Sequence, residues 1–216
     1  MKPIVIVGAG GFGREVASLL KRINKEKPTW SFLGFYDDDT TNKPQGSRNE
    51  YGDILGTVSD LNQITSPTNA ILAIGFPKML KDVRSRLTNP LISFPNIIAP
   101  EASILDEDNY MMGEGNVLGS FSSISCHVKL GNFNILNNRV SFGHDADIGD
   151  YNVFMTACRI SGGTFIGNGN RFGVASIVIP GIKIGDGITV SPGSVIMRKT
   201  KDYSTYVGNP AKILKY

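Results

Sequence analysis

Met112-Gly-Glu-Gly-Asn116, Leu130-Gly-Asn-Phe-Asn134, Ile148-Gly-Asp-Tyr-Asn152, Ile166-Gly-Asn-Gly-Asn170 and Ile184-Gly-Asp-Gly-Ile188 follow one another at intervals of eighteen residues. A shorter period lies beneath this one. Counting in sixes from Met112 to Ile196 meets fifteen apolar residues without a break, and glycine directly follows eight of them. At 41% hydrophobic content, chance would give such a run about once in a million phases, so the period belongs to the architecture. Three hexapeptides make one coil of a triangular parallel β-helix, whose apolar residues point inward and stack on the next coil about 4.8 Å away. A period of six excludes both heptads and amphipathic helices. Residues 105–110 shift the phase by two and read as a small loop, and flat, partly apolar faces predict self-association.

Ahead of the repeat the pattern changes. Ile4–Val7 is a β-branched run leading into Gly8-Ala-Gly10-Gly11-Phe12-Gly13 and then a helical stretch from Arg14, which reads as strand, glycine turn and helix. Such a turn brings backbone close to a ligand and offers N–H groups to a diphosphate, which marks Gly10, Gly11, Phe12 and Gly13. A second strand, Phe32–Tyr36, ends in Asp37-Asp38-Asp39, where a carboxylate is placed to accept from a ribose or base. Ala70–Gly75 reads as a third strand and Lys78–Leu87 as the helix after it. With three or four strands expected before Pro95, half the usual dinucleotide sheet is missing, and a mononucleotide or nucleotide sugar fits better than NAD. The expected organisation is therefore a Rossmann-like α/β unit over residues 1–95 and a β-helix with a C-terminal tail over 96–216.

The 216 residues carry a net charge of +3, from 22 basic and 19 acidic side chains spread along the chain, which argues against nucleic acid as a partner. The apolar run at the start is too short for a signal-peptide core, and none approaches a membrane span. Cys126 and Cys158 lack CxxC spacing, so a cytoplasmic setting is expected, with no disulfide framework and no metal site.

Several motifs in order carry a resemblance: Gly8-Ala-Gly-Gly-Phe-Gly-Arg-Glu-Val16, Gly34-Phe-Tyr-Asp37-Asp38, Ile135-Leu-Asn137-Asn138, Gly143-His144-Asp145-Ala-Asp-Ile-Gly-Asp150 and Tyr206-Val-Gly-Asn-Pro-Ala-Lys212. Together they resemble the sialic-acid O-acetyltransferase family, which includes bacterial N-acetyltransferases of nucleotide-linked amino sugars. The resemblance implies a homotrimer of left-handed β-helices, with acetyl-CoA in the groove between subunits and the nucleotide sugar on the first domain. It implies that His144 is the general base and that Asp145 supports it. Gly162 then offers its N–H to the thioester carbonyl, while Val174 and Pro180 flank the pantetheine arm. Gly75 and Asn137 are marked as substrate contacts. Two positions depart from the family pattern: Val153 stands where some members have a second histidine, and Gly75-Phe76-Pro77 replaces a Gly-Asn-Asn or Gly-Asp-Asn, which bears on the nucleotide.

The residues support this chemistry. Acetyl transfer needs a base for the attacking amine or hydroxyl and donors for the developing oxyanion. His144 lies two residues after Phe142, off the inward register, and Asp145 can hold its tautomer. Histidine also suits a base working near neutral pH. His127, seventeen residues earlier, reads as structural or as a substrate contact, and Cys158 as a buried thiol turned inward. Lys212 is placed to meet a coenzyme A phosphate. Three alternatives compete with an N-acetyltransferase: a sugar O-acetyltransferase, a dehydrogenase, and a non-catalytic nucleotide-binding trimer. A zinc hydratase on this fold needs three histidines and the chain has two. A nucleotidyltransferase would need a basic phosphate loop and a larger α/β domain.

Overall fold

A computed structural model describes residues 1–214, and the chain divides into two compact units, Met1–Pro95 and Asn96–Tyr216. In the first, the elements run β1 (Lys2–Val7), α1 (Gly11–Glu26), β2 (Trp30–Tyr36), β3 (Arg48–Asn49), β4 (Gly52–Gly56), α2 (Val58–Leu61), β5 (Thr68–Leu72), α3 (Pro77–Arg86) and β6 (Ile92–Ser93). They form one sheet in the order β3-β4-β2-β1-β5-β6, parallel except for the β3–β4 hairpin. The central strand β1 is apolar without alternation because both its faces are covered: Ile4, Val5, Ile6 and Val7 are all buried. Helix α1 buries Val16, Ala17, Leu19 and Leu20 on one stripe.

The sheet has six strands rather than the three or four expected. The strands missed are two residues long or sit in the turn-rich stretch Arg48–Gly56, where no β-branched run announces them. The strand order reverses at β1, between β2 on one side and β5 on the other. Open α/β sheets ordinarily bind ligands at such a reversal, beyond the carboxyl ends of the flanking strands, here β1 and β5.

The second unit is the expected left-handed parallel β-helix. Its first face stacks strands beginning at Ile97, Val117, Ile135, Val153, Arg171, Thr189 and Thr205, and the second and third faces follow at each corner. Pairing advances by eighteen residues per coil, as in Ile135 with Val153 and Ser141 with Arg159. The first coil is longer, since Ile97 pairs with Val117 and Ile104 with Ile124, but Met111 already pairs with Lys129. The two extra residues therefore lie between Ile104 and Met111, where the phase shift placed a loop.

Every sixth residue from Leu118 to Ile196 is 2% exposed or less. Along this core the rings of Phe142, Phe154 and Phe172 succeed one another with centroids 4.9 and 4.8 Å apart. A second inward column is polar. The amides of Asn134, Asn152 and Asn170 donate to the side-chain oxygens of Asn116, Asn134 and Asn152 at 2.8–2.9 Å. The side chains of Asn116, Asn134 and Asn152 in turn donate to the carbonyls of Gly131, Gly149 and Gly167, each at 2.9 Å. Buried amides unmatched in this way would each cost on the order of 1–3 kcal/mol, so the ladder fixes the coil register.

Candidate active site

At each corner between the second and third faces, one position stacks as Cys126, His144, Gly162 and Pro180, and the next as His127, Asp145, Gly163 and Gly181. Asp145 adopts φ 57°, a left-handed conformation that aspartate tolerates, and its N–H donates to the Cys126 carbonyl at 3.0 Å. This geometry turns its carboxylate back on its neighbour: His144 Nδ1 and Asp145 Oδ2 are 2.7 Å apart. A carboxylate only accepts, so Nδ1 is the donor and the neutral ring keeps its lone pair on Nε2.

The ring lies over Gly162 of the next coil. A Cβ built on Gly162 would stand 2.7 Å from Nε2 and 2.8 Å from Cε1, so the absence of a side chain there gives the imidazole its place. The Gly162 N–H donates to no atom of the described residues, as is also true of the corner amides at Cys126 and His144. A lone-pair nitrogen and an open backbone donor thus share one edge. His144 and Asp145 are both exposed, with side chains 70% and 62% accessible. A recess of about 360 Å³ opens beside Asp145, lined also by His127, Lys129, Ala146 and Asp147. His127 belongs to the column of Asp145 rather than that of His144, so the two rings leave the corner from different positions. The sequence pattern gave no sign of Lys129 and Asp147 at this recess.

Pro180, exposed, continues the His144 column. Asn137 and Val174 occupy the other edge of the second face, and the Asn137 amide lies 3.7 Å from Met155 Sδ. One copy of the chain therefore keeps Asn137 and Val174 apart from His144, Asp145, Gly162 and Pro180. Lys212 is exposed on the terminal hairpin, opposite Val207. Val153 is fully buried. Cys158 is also fully buried and sits 3.0 Å from the Gly173 carbonyl. Burial is the main reason its thiol titrates above the usual range, and it is an inert packing group, as expected.

In the α/β unit, Gly10 and Gly11 are exposed and a Cβ on either would meet nothing within 4 Å. Gly75, in the segment between β5 and α3, is partly exposed, as is Phe12, and a Cβ on Gly75 would likewise meet nothing within 4 Å. Gly13 differs from the other turn glycines. It is buried, and a Cβ there would run into the Gly8 carbonyl, so this glycine lets α1 pack on the turn instead of facing a ligand. Helices α1 and α3 begin without a capping side chain or an acidic residue in the first turn, whereas α2 has a complete Thr57–Asp60 capping box.

The acids after β2 are engaged within the unit. Asp37 Oδ2 accepts from the Ala9 N–H at 2.7 Å and from Lys43 Nζ at 2.9 Å, while Oδ1 accepts from the Asp39 N–H at 2.9 Å. Burial by itself would raise this carboxyl, but those donors together hold it below its ordinary value. Asp38 accepts from the Val58 N–H at 2.9 Å and from Arg86 at 2.7 Å. Asp37 is thus largely covered, whereas Asp38 stays exposed although both its oxygens are engaged, and the part played by Lys43 carried no motif.

No group of three or more metal-binding side chains occurs among the described residues, and none of their helices is long and apolar enough to cross a membrane. Both cysteines are free. Residues 3–87 match the PglD N-terminal domain family. This PglD-like unit and the β-helix together resemble solved structures over nearly the whole chain. The acetyltransferase domain of PglB from Neisseria gonorrhoeae FA1090, in complex with acetyl coenzyme A, is 27% identical, covering 99% of each chain at a TM-score of 0.86. WeeI from Acinetobacter baumannii AYE is 27% identical, covering 99% of this chain and 100% of its own at a TM-score of 0.87. PerB from Caulobacter crescentus, in complex with CoA and GDP-perosamine, is 24% identical and covers 100% of this chain and 98% of its own. Its TM-score of 0.87 is a likeness of fold. No curated protein matches the sequence.

Proposed function

We propose that this protein is an acetyl-CoA-dependent acetyltransferase that acylates the amino group of a nucleotide-linked sugar, in a pathway that builds surface polysaccharide or glycan. The observation that carries this reading is the His144–Asp145 pair laid over Gly162. It combines an oriented base nitrogen with a free N–H on one exposed edge. Likeness along the whole chain to a domain solved with acetyl coenzyme A supports the choice of acyl donor.

On this reading the PglD-like unit holds the nucleotide through the open amides around Gly10, Gly11 and Phe12, which follow β1, with Gly75 after the neighbouring strand β5. The acceptor nitrogen attacks the thioester carbonyl while His144 Nε2 takes its proton. Asp145 keeps Nδ1 protonated and stabilises the imidazolium that forms. The Gly162 N–H donates to the oxygen as it becomes an oxyanion. His144 then returns the proton to the departing thiolate, so coenzyme A leaves as a thiol. Val174 and Pro180 flank the pantetheine arm, and Lys212 meets a phosphate of coenzyme A.

A dyad this exposed works better once water is excluded. In the homotrimer we infer, the Asn137–Val174 edge of one copy covers the His144 edge of the next. The enzyme works in the cytoplasm, where both cysteines stay reduced.

The test is incubation with acetyl-CoA and a panel of UDP-, GDP- and dTDP-linked amino sugars, reading thiol release and a mass gain of one acetyl group. His144→Ala should lower kcat by roughly 10² to 10⁴ and abolish the acidic limb of the pH–rate profile, with coenzyme binding retained. Full turnover in that variant would remove His144 from the reaction.

A further inference from the structure

We infer that Asp37 is a positioning residue for the phosphate-binding turn and does not itself hold the nucleotide. The inference rests on the reading that this unit binds a nucleoside diphosphate. An acid at the end of the second strand of such a sheet ordinarily takes the ribose hydroxyls. Here the side chain is only 13% exposed, and both oxygens are committed inside the unit, to the amides of Ala9 and Asp39 and to Lys43.

The consequence for the turn follows from which amides are spoken for. Gly8 N–H donates to the Tyr36 carbonyl at 2.8 Å and Ala9 N–H to Asp37 at 2.7 Å, so two successive amides are tied to the end of β2. The chain is then released at Gly10 and enters α1 with no side-chain cap. Asp37 thereby decides where the open amides begin and in which direction they face. Lys43, shared between Asp37 and Asp39, offsets the carboxylate's charge.

Charge alone gives the opposite expectation. A carboxylate beside an anion-binding turn repels a diphosphate, so Asp37→Asn ought to tighten binding if electrostatics were all that mattered. Positioning requires it to weaken, because the neutral amide is a poorer acceptor for Ala9 N–H and Lys43 together.

The experiment uses the full-length protein and whichever of UDP, GDP and dTDP binds tightest by calorimetry, with its 2′-deoxy or ribo counterpart and the free nucleoside as competitors. Asp37→Asn is expected to weaken the ribo and deoxy diphosphates by the same factor, about tenfold or more. Inhibition by the nucleoside should be unchanged, KM for the nucleotide sugar should rise, and kcat and KM for acetyl-CoA should stay within about twofold. Loss confined to the ribo form, or equal loss for the nucleoside, would make Asp37 a ligand and overturn the inference. Unchanged or tighter diphosphate binding would overturn it as well. If the wild type binds none of the three diphosphates, the nucleotide reading itself falls.

A measurement on the wild type covers the case of a variant that does not fold. Hydrogen exchange at the Ala9 amide should be slow without ligand and stay slow with the diphosphate, while the amides from Gly10 to Phe12 slow only on binding. Faster exchange at Ala9 on binding would show Asp37 leaving it for the ligand.

Discussion

A Cβ placed on Gly11 would meet nothing within 4 Å, whereas one placed on Gly162 would stand 2.7 Å from His144 Nε2. Gly11 is exposed at the start of α1 and leaves room that the chain itself does not use. Gly162 sits at a corner of the β-helix, and its room is already taken by a side chain from the preceding coil. The same residue type thus serves opposite ends: one glycine admits something from outside, and the other seats part of the proposed machinery. Gly13 makes a third case, where the space is filled by backbone.

Substitutions that add one or a few carbons should separate these three roles. Gly13→Ala should be the most damaging. The collision with the Gly8 carbonyl cannot be relieved by a rotamer change, so the α/β unit should lose roughly 3 kcal/mol, read as a fall of ten degrees or more in Tm. Gly162→Ala should leave Tm nearly unchanged, because an exposed ring can swing away. Its kcat should fall about 30-fold, roughly 2 kcal/mol, as Nε2 leaves its place, with KM for the nucleotide sugar little altered. Wild-type kcat in that variant would mean that the ring's position over Gly162 is incidental.

Gly11→Val should raise KM for the nucleotide sugar about tenfold and spare KM for acetyl-CoA, since the new side chain fills the approach to the open amides. Equal effects on both substrates would assign the turn a structural role alone.

The smallest effect concerns acid. The folded-state carboxyl of Asp37 lies below its ordinary value, so the stability it contributes is present above the unfolded value of about 3.9 and is lost as pH falls through the folded one. The Tm gap between wild type and Asp37→Asn should therefore hold from neutral pH down to about pH 4 and narrow below it. A gap that persists in stronger acid would show that the charge on Asp37 does not stabilise the turn.

The repeat was legible because its physics is periodic. Each coil must bury the same residue type at the same place, and a pattern of six can be counted without knowing any contact. The phase shift near residues 105–110 was visible for the same reason. In the α/β unit, β1 and its glycine turn announced themselves by a β-branched run and a glycine cluster. The strands Arg48–Asn49 and Ile92–Ser93 did not, since two residues carry no periodicity. Asp37 and Asp38 read as ligand groups from their place after a strand. Only the fold brings Ala9, Lys43, Val58 and Arg86 to them, from as far as 48 residues away in the case of Arg86.

The sequence by itself determined the β-helix, its coil length, the apolar column at its centre, the glycine turn, and His144 with Asp145 as the neighbouring pair that breaks the inward register. Local spacing and hydrophobic period are enough for these, because they depend on residues close in the chain or repeated along it. Tertiary structure alone decided which side chains were already spoken for. It placed the His144 ring over a glycine eighteen residues later, tied Asp37 to the amide of Ala9, and set Asn137 and His144 on opposite edges of one face. Hydrogen bonds and steric room between distant segments exist only once the backbone has closed on itself, and no period in the sequence encodes them.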